Sequence, residues 1–165
     1  MVGMPGSGKS TLGKKLAANR QLSFYDLDKE IESASGYSVA DYFSRFGEDA
    51  FRLLEAEQLR LLSAVQGIVA CGGGTPCYHE NMHWMKHHGL VIWINVDEKT
   101  LLHRMRQGDS SQRPIWSSWP LEEQAERLHQ LYMERKPYYE QAHAAFSPLH
   151  DSPLNEWITS LLQQG

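Results

Sequence analysis

"GMPGSGKS", residues 3–10, is the stretch that decides how this chain folds. It fits G-x-x-x-x-G-K-[ST] at every fixed position. The glycines let successive backbone N–H groups wrap phosphate oxygens. Lys9 sets a point charge on the outer phosphates, the Ser10 hydroxyl can ligate Mg²⁺, and the following helix aims its positive end at the anion. Such a loop sits between a strand and a helix, and the helix is predicted over residues 9–18. Only Met1 and Val2 precede Gly3, whereas a strand has about five residues. The expectation is therefore an unusually short strand or one that continues upstream of Met1.

Downstream, short apolar runs alternate with amphipathic stretches. "SFYDLD" (23–28) reads as a strand ending in carboxylates, with Asp28 capping the next helix and Gly36 ending it. Ser38 caps a short helix closed by Gly47. A long amphipathic helix over 48–64 carries Phe51, Leu54, Leu59 and Leu62 among its apolar positions. "GIVAC" (67–71) and "LVIWINV" (90–96) read as buried strands, "HENMHWMKHH" (79–88) as a helix, and Asp97 as the cap of "EKTLLHRMRQ". Residues 107–120 read as a mobile loop. A helix from Leu121 is expected to be interrupted near Pro137, followed by a last strand at "AAFS" and a last helix at "LNEWITSLLQQ". Alternating strands and helices imply an α/β fold, with a central parallel sheet of about five strands covered by helices on both faces. Ligands of such sheets bind at the carboxyl ends of the strands.

Composition bounds the rest. The 165 residues form one domain with room for a core. A net charge of −4 argues against a nucleic-acid groove. Two cysteines, Cys71 and Cys77, are too few for a disulfide framework and do not form a zinc-type pair. No run is long and apolar enough to cross a membrane, and the N-terminus lacks a signal pattern. A cytoplasmic setting is expected.

Three consecutive glycines, Gly72 to Gly74, end the strand "GIVAC". A turn usually needs one glycine; three suggest that something comes very close to the backbone. Asp26 and Asp28 would share a face if the strand extension persists, so one could hold Mg²⁺ through water and the other accept a proton from a substrate hydroxyl. Arg52 and Glu55 stand three apart and can pair. Arg52 lies between Phe51 and Leu53 in a helix that must pack on the sheet, so an anionic ligand could use it.

Together these motifs resemble the shikimate kinase family. The match runs through "GMPGSGKST"; Asp26 and Asp28; the G-E-x-x-F-R-x-x-E from Gly47 to Glu55; Gly72 to Gly74; Arg113 and Pro114; and Arg135, Pro137 and Tyr139, in family order over nearly the whole chain. The resemblance implies a three-layer P-loop kinase fold that transfers the ATP γ-phosphoryl group to the 3-hydroxyl of shikimate. It implies nucleotide binding by Gly6, Ser7, Gly8, Lys9, Ser10, Thr11 and Arg113, and Mg²⁺ at Ser10 and Asp26. Shikimate would be held by Asp28, Arg52, Gly73, Gly74 and Arg135, with Lys9, Asp28 and Arg113 catalytic. In this reading the glycines clear space for the substrate. Helices over about 28–64 would bind shikimate, and a lid over about 107–120, with Trp116 and Trp119, would close over ATP. A monomer without nucleic-acid or membrane partners is expected.

The family often has threonine at Cys71, which reads here as a small core residue. It often has arginine in the adenine loop, where this chain reads "SPLHDSP", so residues 150–153 are expected to meet adenine through backbone. "HENMH" (79–83) satisfies the zinc-protease pattern H-E-x-x-H, and His87 adds another turn on the same face, but the pattern is short, a zinc site also needs a third ligand and an open position, and the longer zincin pattern does not follow; a surface helix is the better reading. The alternatives are another small P-loop kinase, for gluconate or a nucleoside monophosphate, and a non-catalytic nucleotide-binding relative.

Overall fold

The computed structural model describes residues 1–107, 119–151 and 153–163. Four short strands run parallel: β1 (Ser23–Asp26), β2 (Gly67–Ala70), β3 (Ile92–Ile94) and β4 (Ala144–Phe146). β1 pairs with β2 in the register Ser23–Gly67 to Asp26–Ala70, and β3 pairs with β4. Met1 and Val2 join the two pairs. The Met1 amine donates to Val69 O at 2.6 Å and Met1 O accepts from Cys71 N. On the other side Val2 N donates to Ile92 O, and Ile94 N to Val2 O at 2.8 Å. The spatial order is thus β1–β2–(Met1, Val2)–β3–β4. Met1 and Val2 thus stand in the place of the expected central fifth strand.

Seven helices are described: α1 (Lys9–Arg20), α2 (Leu27–Ser35), α3 (Val39–Leu61), α4 (Asn81–His88), α5 (Glu98–Gln107), α6 (Gln124–Tyr139) and α7 (Leu154–Gln163). α1 packs on β1, β2 and α7, α2 packs on α3, and α5 on α6. Val2, Met4, Leu27, Ile31, Ile94, Leu101, Leu128 and Tyr139 lie at the centre of the core.

Most local signals are realised. Gly36 ends α2 at φ 75°, Ser38 Oγ accepts from Asp41 N, and Asp97 caps α5 through Thr100. Gly47, at φ 82° and ψ 172°, breaks the 39–61 stretch into the two predicted helices. Two expectations are corrected. The extension after β1 does not persist: Asp26 takes the N-cap position of α2 and Asp28 lies in its first turn. The two carboxylates are therefore not paired by strand alternation, and Asp28 does not cap. α6 also runs through Pro137 to Tyr139. Pro137 sits in the last turn, where the missing N–H removes one bond and little helix remains to be broken.

Gly3 marks the exit from the sheet. Its φ is +140°, and a Cβ there would stand 2.7 Å from the Ile94 carbonyl oxygen. Backbone in a paired strand cannot yield as a side-chain tip can. Gly3→Ala is expected to cost at least about 2 kcal/mol of stability, from strain and overpacking together. Urea denaturation would read this as a lower midpoint; an unchanged midpoint would contradict it.

Candidate active site

The loop between Val2 and α1 uses glycine for conformation. Gly6 and Gly8 hold φ of 80° and 94°, a region other residues avoid. Lys9 opens α1 almost fully buried, and its Nζ donates to the carbonyls of Gly3 (3.0 Å) and Met4 (2.9 Å). Burial lowers its pKa to about 8, against the opposing pull of Asp28. Ser7 Oγ is buried and has no hydrogen-bond partner among the described residues, a polar atom that a ligand could satisfy. Ser10 Oγ donates to Asp26 Oδ2 at 2.7 Å, so these two are brought together. An open cleft of about 600 Å³ is lined by Gly6, Ser7, Gly8, Lys9, Ser10, Thr11 and Leu12, with Arg104 and Pro148 opposite. Arg104 Nη1 reaches the carbonyls of Gly6 and Ser7 at 3.4 and 3.3 Å.

Beside this loop lies a second, anion-suited cluster built on the triple glycine. None of Gly72, Gly73 and Gly74 has a positive φ, and Gly74 is at φ −88°, ψ −15°. Their lack of side chains serves space, not conformation. A Cβ on Gly72 would stand 3.1 Å from Asp28 Oδ1, Glu55 Oε1 and Thr75 Oγ1. On Gly73 it would meet Pro5 Cδ at 2.7 Å and Arg135 Nη1 at 2.9 Å, and on Gly74 the Arg52 guanidinium at 2.7–3.0 Å. The neighbours for which the glycines clear room in this structure are side chains: Asp28, Glu55 and Thr75 at Gly72, Pro5 and Arg135 at Gly73, and Arg52 at Gly74.

Arg52 is buried within a net of partners. It donates to Glu55 Oε2 at 2.9 Å and to Glu48 Oε1, and its guanidinium lies 4.3 Å from the Tyr78 ring centroid. Burial works against its charge, but Glu55 and Glu48 outweigh this and hold its pKa above the ordinary value. Glu55, fully buried, also accepts from Thr75 Oγ1 at 2.5 Å. Arg135 is buried on α6, and among the described residues no carboxylate pairs with it. Tyr139, one turn later, donates to Gly73 O at 2.6 Å. Burial, with Asp26 and Glu55 nearby, pushes the Asp28 pKa up to about 6. A carboxyl poised there is a stronger base than an ordinary aspartate and is still ionised at neutral pH.

A family model described as shikimate kinase matches residues 5–164. The chain belongs to the shikimate kinase family. Its activity is that of an ATP-dependent kinase acting on shikimate. It is 39% identical over 140 residues to a shikimate kinase of a Sulfurihydrogenibium species, covering 84% of this chain and 80% of that protein. It is 37% identical over 154 residues to one from Persephonella marina, covering 93% and 90%. The solved shikimate kinase of Bacteroides thetaiotaomicron superimposes with a TM-score of 0.86 at 34% identity, covering 99% of this chain and 94% of that one. That of Acinetobacter baumannii, in complex with shikimate, gives 0.83 at 29% identity, covering 99% and 89%. The P-loop kinase fold class read from the motifs is that of these structures, and the family match sets aside gluconate kinase and the non-catalytic relative.

Lys9, Ser10, Asp26, Asp28, Arg52, Gly73, Gly74 and Arg135 thus all fall in or beside the two clusters. Arg113 and the segment 108–118 lie outside the described residues. In the expected adenine loop, Pro148 lines the cleft, while the N–H groups of His150 and Asp151 bond Ser147 O; Ser152 lies outside the described residues. The H-E-x-x-H pattern does not form on one helix: His79 and Glu80 precede α4 at φ 48° and 55°. Sequence reasoning missed Arg104 and Thr75. Arg104 flanks the buried Met105 on α5, a placement that points one side of it inward. For Thr75 the signal was its place directly after the glycines.

A carboxyl whose pKa rises from 3.8 to about 6 on folding weakens the fold once ionised. The cost is absent below the unfolded value and complete above the folded one. Asp28→Asn is therefore expected to raise unfolding free energy at pH 7 by about 2–3 kcal/mol, the gain fading as pH falls from 6 to 4. Urea denaturation at pH 7 and pH 4 reads it. No gain at pH 7 would mean that Asp28 does not stand in a desolvated, acidic surrounding.

Proposed function

We propose that the two clusters are the two halves of one transfer site, in which the ATP γ-phosphoryl group passes to the 3-hydroxyl of shikimate. The observation that carries this reading is the meeting of the phosphate loop and the triple glycine at Pro5 and Gly73, with Arg135 at the same point. Gly6 to Thr11 would cradle the nucleotide phosphates through backbone N–H groups, with the Lys9 ammonium on the outer ones. Arg104 and Pro148 would border the nucleotide beyond the phosphates.

The oxygen donors Ser10 and Asp26 fit Mg²⁺, which takes one or two protein ligands and shares the rest with substrate phosphates. When bound, Mg²⁺ would neutralise charge on the phosphates of ATP. Arg52 and Arg135 would hold the acceptor carboxylate, a task suited to planar guanidinium forks. The Glu48 and Glu55 carboxylates fix the orientation of Arg52 before substrate arrives. Asp28 would orient the acceptor hydroxyl and take its proton as the phosphoryl group moves. Helices over about 28–64 would then form the acceptor-binding part, and residues 107–120 the lid that brings Arg113 over ATP and excludes water. A cytoplasmic monomer with no other macromolecular partner completes the reading.

ADP release from MgATP should be slow alone and rise strongly with shikimate, because water is a poorly positioned nucleophile. Arg135→Lys keeps the charge but loses the fork, so shikimate binding should weaken by about 1–3 kcal/mol with ATP binding nearly intact. Calorimetric titration of each substrate checks this. Unchanged shikimate affinity would make Arg135 a structural helix residue instead.

A further inference from the structure

Tyr139 closes α6 fully buried, its ring stacked near Trp93 with centroids 6.0 Å apart. Ring burial alone would be served by phenylalanine. The hydroxyl, however, donates to Gly73 O at 2.6 Å, with the Met4 sulfur 3.7 Å away. Burial holds its pKa far above the ordinary value, so it remains a proton donor at every working pH. The Arg135 guanidinium lies beside it, one helical turn earlier, and packs against Gly73.

The carbonyl of Gly73 and the N–H of Gly74 belong to one planar trans peptide, so fixing the carbonyl turns the N–H to the opposite side. Among the described residues, neither the Gly73 nor the Gly74 N–H donates to a protein acceptor. Both donors are thus unclaimed among the described residues, and the direction of the Gly74 N–H depends on how the Gly73–Gly74 peptide is held. The same hydroxyl links the helix that carries Arg135 to the glycine loop.

We propose that Tyr139 is a positioning residue for the acceptor substrate: its hydroxyl holds the Gly73–Gly74 peptide and thereby sets the Gly74 N–H and the Arg135 guanidinium before shikimate arrives. The inference rests on reading residues 72–74 as part of the acceptor site. It assigns Tyr139 no contact with the reacting atoms.

Tyr139→Phe keeps the ring and removes the donor. The shikimate KM should rise about tenfold, with kcat changing less than about threefold and the ATP KM within about twofold, because one loosely held peptide misplaces several acceptor contacts. In the free enzyme labelled with ¹⁵N-glycine, the Gly73 and Gly74 amide signals should move. If Tyr139→Phe does not fold, two isosteres incorporated at position 139 replace it: 4-aminophenylalanine, which keeps a donor, and 4-fluorophenylalanine, which lacks one. The first should retain a low shikimate KM and the second should not. Equal shikimate KM values for donor and non-donor side chains, or a parallel rise for ATP and shikimate, would overturn the proposal. Wild-type activity separates the two levels. Without shikimate-dependent ADP release, the acceptor-site reading and this inference both fall; with it, an unaltered Tyr139→Phe removes only the positioning role.

Discussion

The architecture of the site depends on three positions without side chains. A Cβ at Gly73 or Gly74 would come within 3.0 Å of Pro5 and Arg135 or of Arg52, and one at Gly72 would crowd Asp28, Glu55 and Thr75 at 3.1 Å. Asp28 arrives from α2, Glu55 and Arg52 from α3, Arg135 from α6 and Pro5 from the phosphate loop. These come from separate parts of the chain and converge on one short segment at the carboxyl end of β2. The glycines of the phosphate loop serve a different need, since Gly6 and Gly8 supply left-handed backbone. The same residue type thus answers two physical problems in two neighbouring loops, conformation in one and volume in the other.

Convergence concentrates buried charge. Lys9, Arg52, Glu55 and Arg135 are all buried, and Asp28 is close enough to Lys9 and Glu55 for each to affect its protonation. Taking such groups out of water is costly unless each finds a partner. Glu55 has two partners and Arg52 has two carboxylates, so that half of the cluster is internally balanced. Asp28 and Lys9 are less well served, and both are shifted towards their neutral forms. The imbalance falls on the two groups that the proposed chemistry asks to handle a proton and a phosphate, where ligand charge is expected.

Much of this was legible in the residues. The phosphate loop, the Ser38 cap, the Gly47 break and the Asp97 cap are local signals, decided within a few residues, and they read correctly. The Asp26–Asp28 geometry did not, because strand alternation was extended two residues past a point where Asp26 already stands at a helix start. Pro137 misled for a similar reason: its cost depends on how much helix remains beyond it. The purpose of the triple glycine was half legible. Spacing suggests a close approach, but which side chains approach is decided by packing between elements far apart in sequence. Arg104 and the Tyr139 hydroxyl needed the fold for the same reason, since their partners lie 97–98 and 66 residues away.

The central claim is that the triple glycine serves space, so that acceptor binding fails when volume is added even though the backbone tolerates it. Gly74 tests this most directly, because its φ of −88° and ψ of −15° suit alanine. The three atoms nearest the added Cβ all belong to the guanidinium of Arg52, the end of a flexible side chain, so the backbone is expected to stay folded. Calorimetric titration of shikimate into Gly74→Ala, beside ATP as a control, is the measurement. The account predicts a folded protein with near-normal ATP affinity and shikimate affinity reduced about tenfold or more, as expected when a charged hydrogen-bond partner is misplaced. Wild-type shikimate affinity in a folded Gly74→Ala protein would contradict it.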